Sequence, residues 1–255
     1  MVNEDALRWL RCPAPVPGAA VRLVCLPHAG GGASAFRRWP ASLPGDVELH
    51  AVQYPGHEDR LDEPCVADFD RLADLITAAV AGLRDRPLAL LGHSMGAALA
   101  HAVAGRLHRH GTAPLLHLFV SGAPAPRHHR PGTVHLRDDA GLVSEVRRLG
   151  GDPHRLLDNT ELRTLVLPAI RADYRAQETR RVGWTPRLRC PVTALTGRDD
   201  SEAPAGQVAD WAGYTDGPFR LRTYPGGHFY LDDHHETVVA DVVADLGAPA
   251  WPDTP

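Results

Sequence analysis

Short apolar runs alternate with helical patterns along most of this chain, and the alternation restricts the possible folds more than any other feature. Four runs have the character of buried strands, at 21–27, 47–56, 87–92 and 115–122. A helical stripe of apolar residues occupies 69–83, and another helix is predicted over 97–111. Strands that alternate with helices form a mostly parallel sheet with crossover helices on its faces. We therefore expect one α/β domain over 1–255.

The alternation stops after the fourth strand. From 127 to 185 the sequence has little strand character and contains two helical patterns, the first with Asp138 or Asp139 in position to cap it. Pro168 is expected to kink or divide the second helix. The interval of about 127–185 is therefore predicted to be a helical lid inserted over the sheet.

Strand patterns resume at 190–197 and 219–227, and a helix over 235–247 closes the predicted fold. The Pro-rich tail, 248–255, is predicted to be disordered. The N-terminus lacks the basic and apolar regions of a signal peptide, and no run approaches the roughly 18 apolar residues of a membrane span. Four scattered cysteines are typical of free thiols in a reducing compartment. We expect a cytoplasmic protein that does not associate with a membrane.

Charge and composition exclude several kinds of chemistry. The formal net charge of -4 argues against general nucleic-acid binding. All 27 basic residues are arginines, because the sequence contains no lysine. A Schiff base, a Ser-Lys dyad and the lysine of a nucleotide-binding P-loop are therefore excluded.

A serine lies between two glycines where the third predicted strand meets the next helix. Ser94 is the centre of Gly-His-Ser-Met-Gly, residues 92–96. A G-x-S-x-G sequence in this position is typical of a nucleophile elbow, in which a sharp turn presents the serine to substrate. The alternative is a turn in which the small residues serve packing alone. We predict that Ser94 is a nucleophile.

A nucleophilic serine needs a base, and the base needs an orienting carboxylate. On folds with this elbow the residues follow in the order Ser, acid, His. His228 comes directly after the last predicted strand and is the predicted base. Asp199 and Asp200 both lie in the loop after the preceding strand. Asp200 is favoured because it is the third residue after Gly197, but Asp199 remains an alternative.

An oxyanion hole requires two backbone N–H groups aimed at the developing charge. The first is expected from Met95, the residue after the nucleophile, and the second from the loop that follows the first strand. That loop contains three consecutive glycines, 30–32, which suggests close approach of the backbone to a ligand. Ala29 is the preferred second donor and Gly30 is the alternative. The third interpretation is a glycine-rich turn without this role.

No cofactor or metal is predicted. The paired histidines, such as His128 and His129, lack the H-E-x-x-H or C-x-x-C spacing of a specific metal site. The sequence also contains neither G-x-G-x-x-G nor G-x-x-x-x-G-K-[ST], so no nucleotide site is predicted.

With these residues in place, the chain resembles the stand-alone type II thioesterases that accompany polyketide synthases and nonribosomal peptide synthetases. The resemblance covers nearly the whole length. It rests on the segments 25–39, 52–64, 90–100, 165–178, 193–200 and 224–231. It implies an α/β-hydrolase fold with a helical lid. Matching the motifs residue by residue supports Ser94, Asp200 and His228 as the triad, with Ala29 and Met95 as oxyanion donors.

The resemblance also implies a reaction and a partner. Such enzymes hydrolyse acyl groups from the phosphopantetheine thiol of acyl or peptidyl carrier proteins, which clears stalled or misprimed units. The chain is expected to act in this way as a monomer. The alternative is a small-molecule carboxylesterase or a medium-chain fatty acyl thioesterase on the same fold. His57 and Arg180 stand where the family often has an arginine and an aromatic residue, so the substrate preference is not carried over.

Two groups of side chains in the predicted lid have open interpretations. Four arginines are expected either to meet an acidic carrier protein or to be ordinary solvated residues. They are Arg127, Arg130, Arg180 and Arg181. Four apolar residues are expected either to line an acyl cavity or to pack the core of the insertion. They are Leu165, Val166, Leu167 and Ile170.

Overall fold

Seven strands form one sheet in the order β1-β3-β2-β4-β5-β6-β7. The computed structural model describes residues 8–83, 85–109, 115–152, 155–183 and 187–247. The strands are β1 (Leu10–Arg11), β2 (Val21–Leu26), β3 (Val47–Val52), β4 (Leu88–His93), β5 (His117–Ser121), β6 (Val192–Gly197) and β7 (Phe219–Tyr224). The pair β1–β3 is antiparallel, and the five other pairs are parallel. The predicted mostly parallel sheet is confirmed.

Seven α-helices connect or flank these strands within the described residues. They are α1 (Phe69–Ala81), α2 (Met95–Arg109), α3 (Asp139–Arg148), α4 (Thr160–Thr179), α5 (Ala205–Ala209), α6 (Tyr230–Asp233) and α7 (His235–Gly247). Of the two aspartates predicted as caps of α3, Asp138 fills the role, since its side chain accepts the Gly141 N–H at 2.8 Å. No described helix is both long and apolar enough to cross a membrane. The tail predicted to be disordered lies outside the described residues.

Alternate residues of the central strands supply two separate cores on the two faces of the sheet. In β2, Val24 and Leu26 contribute to the core beneath α1 and α2. Leu23 and Cys25 contribute to the core beneath α7. This division follows from strand geometry, because successive side chains point to opposite faces. The central strands are continuous apolar runs in the sequence because helices cover both faces of the sheet.

Between β5 and β6 the described residues form helices and loops rather than strands. Helices α3 and α4 lie here, with short 3-10 helices at Pro126–His128, Val134–Leu136 and Leu156–Asp158. This segment, called the insertion below, has an apolar cluster of its own. The buried members of that cluster are Leu142, Val143, Leu157, Leu167 and Ile170. The insertion therefore adds a third apolar core to the two that lie on the faces of the sheet.

Pro168 does not divide the second helix of the insertion. Helix α4 is continuous over 20 residues, with Pro168 inside it. Proline removes one backbone hydrogen bond from a helix interior. Here Leu167, Ala169 and Ile170 are buried on either side of the proline. Their packing offsets the lost bond and keeps the helix in one piece.

Candidate active site

Ser94 occupies the sharp turn between β4 and α2. Its backbone φ is 55°, in the left-handed region that non-glycine residues rarely adopt. Its N–H donates to the Ser121 carbonyl at 2.8 Å, which holds the turn against β5. The flanking glycines make the turn possible. A Cβ on Gly92 would lie 2.0 Å from the Gly96 oxygen, and a Cβ on Gly96 would lie 2.1 Å from the Leu26 oxygen.

We expect Gly96→Ala to lower the free energy of unfolding by about 3 kcal/mol, because the new methyl group would collide with the backbone of β2. Urea denaturation followed by circular dichroism measures the change. Gly206→Ala is the matched control, since a Cβ at Gly206 meets nothing within 4 Å. Equal unfolding midpoints for the two variants would contradict the steric account of the elbow.

The structure brings Ser94, His228 and Asp200 together in one hydrogen-bonded chain. Ser94 Oγ lies 3.0 Å from His228 Nε2, and His228 Nδ1 lies 2.9 Å from Asp200 Oδ2. The carboxylate fixes the proton on Nδ1, so that Nε2 is free to accept the serine proton. His228 and Asp200 are buried, with 6% and 5% of their surfaces exposed. This arrangement has the geometry of a nucleophile, a base and an orienting acid.

The two candidate aspartates have different environments. Asp200 Oδ1 accepts the amides of Glu202 and Ala203 at 2.9 and 3.2 Å, so both of its carboxylate oxygens have partners. Asp199 is exposed, and its backbone N–H donates to the Gly226 carbonyl at 2.9 Å. The structure therefore places Asp200, and not Asp199, beside His228.

The two predicted oxyanion donors lie in the loop after β2 and at the start of α2. Met95 is the first residue of α2, where an N–H group has no acceptor within the helix. Ala29 lines the same cavity as Ser94 and Met95. The alternative donor is already engaged, because the Gly30 N–H donates to Asp173 Oδ2 at 2.8 Å. Of the two candidates in this loop, Ala29 is the one whose amide is not committed to a described residue.

A second layer of side chains lies behind His228, and the sequence analysis missed it. The His93 ring centre is 5.1 Å from that of His228, and His93 Nδ1 lies 2.9 Å from Ser121 Oγ. Ser121 Oγ in turn lies 2.6 Å from the Tyr230 hydroxyl. Burial, with a smaller effect of His228, holds the pKa of His93 well below its usual range. His93 is therefore neutral and places no second positive charge beside a protonated His228.

Ser94 and His228 open into a cavity of about 740 Å³ between the sheet and the insertion. The four apolar residues with two possible roles differ in position. Val166 and Ile170 line the cavity and also pack in the insertion's own cluster. Leu167 is buried in that cluster alone, and Leu165 is 51% exposed. Helix α4 thus contributes apolar side chains to the cavity wall, together with the polar Gln177 and Glu178.

Known proteins with a similar sequence support the same chemistry. A family model described as a thioesterase domain matches residues 21–246. The chain belongs to the thioesterase family. It is therefore a thioester hydrolase of the serine hydrolase class, on the α/β-hydrolase fold.

Individual thioesterases are similar over nearly the whole chain. Thioesterase PikA5 of Streptomyces venezuelae is 45% identical, over 97% of this chain and 90% of that protein. A protein of Streptomyces griseus, described as a probable cadicidin biosynthesis thioesterase, is 44% identical over 97% of this chain and 70% of its own. Among solved structures, the type II thioesterase BorB from the borrelidin biosynthetic cluster has 43% identity and a TM-score of 0.88. That match covers 94% of this chain and 98% of BorB.

The four arginines predicted for the surface of this thioesterase's insertion have unlike environments. Arg130 and Arg181 are exposed, whereas Arg127 forms an ion pair with Asp210. Arg180 is partly buried, with its guanidinium carbon 5.5 Å from the centre of the Phe69 ring. Burial lowers the pKa of Arg180 to about 10, so it stays charged at neutral pH. Arg180 is therefore packed against α1 and is not an ordinary solvated side chain.

One group of potential metal ligands comes together, away from the cavity of this thioesterase. Among the described residues, Cys12, Glu48 and His50 have ligand atoms within 4.8 Å of one another. The Glu48 carboxylate already accepts the Val16 amide at 2.9 Å and Arg22 Nε at 3.1 Å. A guanidinium in contact with the carboxylate opposes binding of another cation. We assign no metal to these residues.

Proposed function

We propose that this thioesterase hydrolyses acyl groups from the phosphopantetheine arm of carrier proteins in polyketide or nonribosomal peptide biosynthesis. Its role there is editing, that is, the removal of stalled or misprimed acyl units. The observation that carries this proposal is the whole-length similarity to thioesterases of biosynthetic clusters, including BorB at 43% identity. The position of Ser94 in the wall of a large cavity supports it, since an acyl chain needs such a space beside the nucleophile.

In the first half of the proposed reaction, Ser94 Oγ attacks the thioester carbonyl while His228 Nε2 accepts its proton. The carbonyl oxygen becomes an oxyanion, which the amides of Ala29 and Met95 stabilise. Asp200 stabilises the imidazolium that forms on His228. Collapse of the tetrahedral intermediate breaks the carbon–sulfur bond, the leaving sulfur takes the proton from His228 Nε2, and the pantetheine thiol departs. Ser94 then carries the acyl group as an ester.

In the second half, a water molecule replaces the thiol. His228 Nε2 takes a proton from this water as it attacks the acyl ester, and the same two amides stabilise the second oxyanion. The proton passes to Ser94 Oγ as the ester bond breaks, and the free acid leaves. Every step uses side chains, backbone amides and water.

The insertion is proposed to act as a lid that encloses the acyl chain. Val166 and Ile170 of α4 offer it an apolar surface, and the carrier protein remains outside. We place the reaction in the cytoplasm and expect the enzyme to work there as a monomer. The free state of all four cysteines supports a reducing compartment.

Carrier-bound acyl groups test the proposal against the simpler alternatives. The panel runs from acetyl and propionyl to longer chains and aminoacyl groups, each offered on a carrier protein and as the p-nitrophenyl ester. We expect kcat/KM to be higher for the carrier-bound form, with deacylation followed by mass spectrometry. Faster turnover of the free esters would indicate a carboxylesterase. A steep preference for plain medium-length alkyl chains would indicate a fatty acyl thioesterase.

A further inference from the structure

A buried aspartate of the insertion touches the loop that carries the oxyanion donor. Asp173 lies on α4 and is only 3% exposed. Its Oδ2 accepts the Gly30 N–H at 2.8 Å and lies 2.9 Å from His57 Nε2. Ile170, one turn earlier on α4, packs against the same glycine, since a Cβ there would lie 2.8 Å from Ile170 Cγ1. One face of α4 therefore holds the loop by packing and by a hydrogen bond.

Both ring nitrogens of His57 face acceptors. Nε2 lies 2.9 Å from Asp173 Oδ2, and Nδ1 lies 3.1 Å from the Pro55 carbonyl. A neutral imidazole has one N–H and satisfies one acceptor, whereas the imidazolium has two and satisfies both. His57 is 5% exposed, so water does not supply the missing partner. The geometry therefore favours a protonated His57 and a buried ion pair with Asp173.

The position of this ion pair matters because Asp173 binds Gly30, the residue that follows Ala29. Its N–H belongs to the peptide that joins it to Ala29, the proposed oxyanion donor. Three consecutive glycines, 30–32, give this part of the loop unusual backbone freedom, and Gly30 itself has a φ of 80°. Fixing the peptide plane between Ala29 and Gly30 removes much of that freedom. The Ala29 N–H belongs to the preceding peptide, between His28 and Ala29, so its direction is restrained through the two backbone dihedral angles of Ala29.

We propose that Asp173 is a positioning residue that, held by protonated His57, clamps the oxyanion loop to α4 and so keeps the Ala29 N–H aimed at the reacting carbonyl. This inference rests on the oxyanion role proposed for Ala29. It gives the insertion a part in the chemical step as well as in enclosing the acyl chain. The clamp works through the Gly30 N–H, and Asp173 itself does not touch the substrate.

The clamp is sensitive to pH through His57. Burial opposes the charge on His57, but the hydrogen bond and the negative charge of Asp173 outweigh it and raise the pKa of His57. Glu58 adds a further negative charge nearby. Three further titratable groups near the pair are neutral at pH 7, since burial lowers the pKa of His28 to about 4 and raises those of Tyr54 and Cys65. Arg60, on the same loop as His57, forms an ion pair with Glu63. The clamp is therefore complete below the usual histidine pKa, and it weakens as the pH rises through the raised pKa of His57.

Asp173→Asn tests the clamp on a small substrate, an acyl thioester of N-acetylcysteamine. The amide keeps the shape of the side chain but loses the charge that holds His57. We expect kcat per active site to fall by about 10- to 100-fold, with little change in KM, because misplacing an oxyanion donor affects the transition state. Active sites are counted with a fluorophosphonate. Asp139→Asn is the control, since it breaks another α4 contact, with Arg171, outside the cavity. Unchanged kcat in Asp173→Asn would overturn the proposal.

The pH profile separates positioning from a merely structural role. The wild-type rate is expected to fall on the alkaline side as His57 loses its proton. His57→Arg keeps a permanent charge and should abolish this fall. His57→Gln has no charge and should have a low rate without an alkaline fall, which tests the proposal even if the arginine variant does not fold. An alkaline fall that persists in His57→Gln would overturn it. Carrier proteins are absent from these assays, so failure of the proposed carrier substrate would appear separately.

Discussion

Ser94→Ala is expected to lower kcat for thioester hydrolysis by about 10⁶-fold, because it removes the atom that forms the acyl-enzyme. What remains is the stabilisation of a direct water attack by the oxyanion hole. Turnover of an acyl-N-acetylcysteamine thioester measures the loss. Labelling by a fluorophosphonate, read as a mass increase of the intact protein, should disappear as well.

Ser201→Ala is the matched control for this variant. Ser201 lines the same cavity and is exposed, but it has no place in the hydrogen-bonded chain of Ser94. We expect it to retain both turnover and labelling. Covalent labelling that survives in Ser94→Ala but is lost in Ser201→Ala would place the nucleophile elsewhere.

Asp200→Asn is expected to lower kcat by about 10⁴-fold while leaving the fold intact. An asparagine can turn its amide group toward His228 Nδ1 and donate to it. The imidazole then carries its proton on Nε2 and can no longer accept the proton of Ser94 Oγ, which lies 3.0 Å away. The backbone amides that now bind Asp200 Oδ1 still find a carbonyl oxygen in the variant. The loss should therefore appear in turnover and not in thermal stability.

Asp199→Asn is the natural comparison, since the two residues are adjacent and only one contacts the histidine. Asp199 is exposed and meets the rest of the protein through its backbone N–H. Its substitution should leave most of the activity. If Asp199→Asn were the severe variant and Asp200→Asn the mild one, the orienting acid would have to be reassigned.

Six of the seven strands and the positions of the central site residues could be predicted because their determinants are local, whereas the two-residue strand β1 is too short to leave a pattern. A strand followed by a turn is visible in a few consecutive residues, and Ser94, Asp200 and His228 each follow a strand. Parallel strands then bring their carboxyl ends to one edge of the sheet. Residues far apart in the chain meet there without any further information.

Contacts made by the insertion could not be predicted in the same way. The resemblance to type II thioesterases singled out His57 only as a departure from the family pattern. It assigned no role to Asp173. Their contact joins residues 116 positions apart, and it depends on how α4 lies over the loop after β2. Arg180 was predicted as a surface residue for the same reason. Its burial against Phe69 comes from tertiary packing and leaves no periodic pattern in the sequence.

The separate apolar core of the insertion bears on when hydrolysis can occur. Its cluster is distinct from both sheet cores, and its further contacts with the core beneath α1 and α2 include Ala176 of α4. If α4 moves away from the sheet, as the proposed role of a lid requires, Ser94, Asp200 and His228 lie outside the moving part and keep their hydrogen bonds. The contact of Asp173 with Gly30 exists only while α4 is seated. The open enzyme would thus hold an assembled nucleophile beside an incomplete oxyanion hole, and hydrolysis would be restricted to acyl groups that have been enclosed.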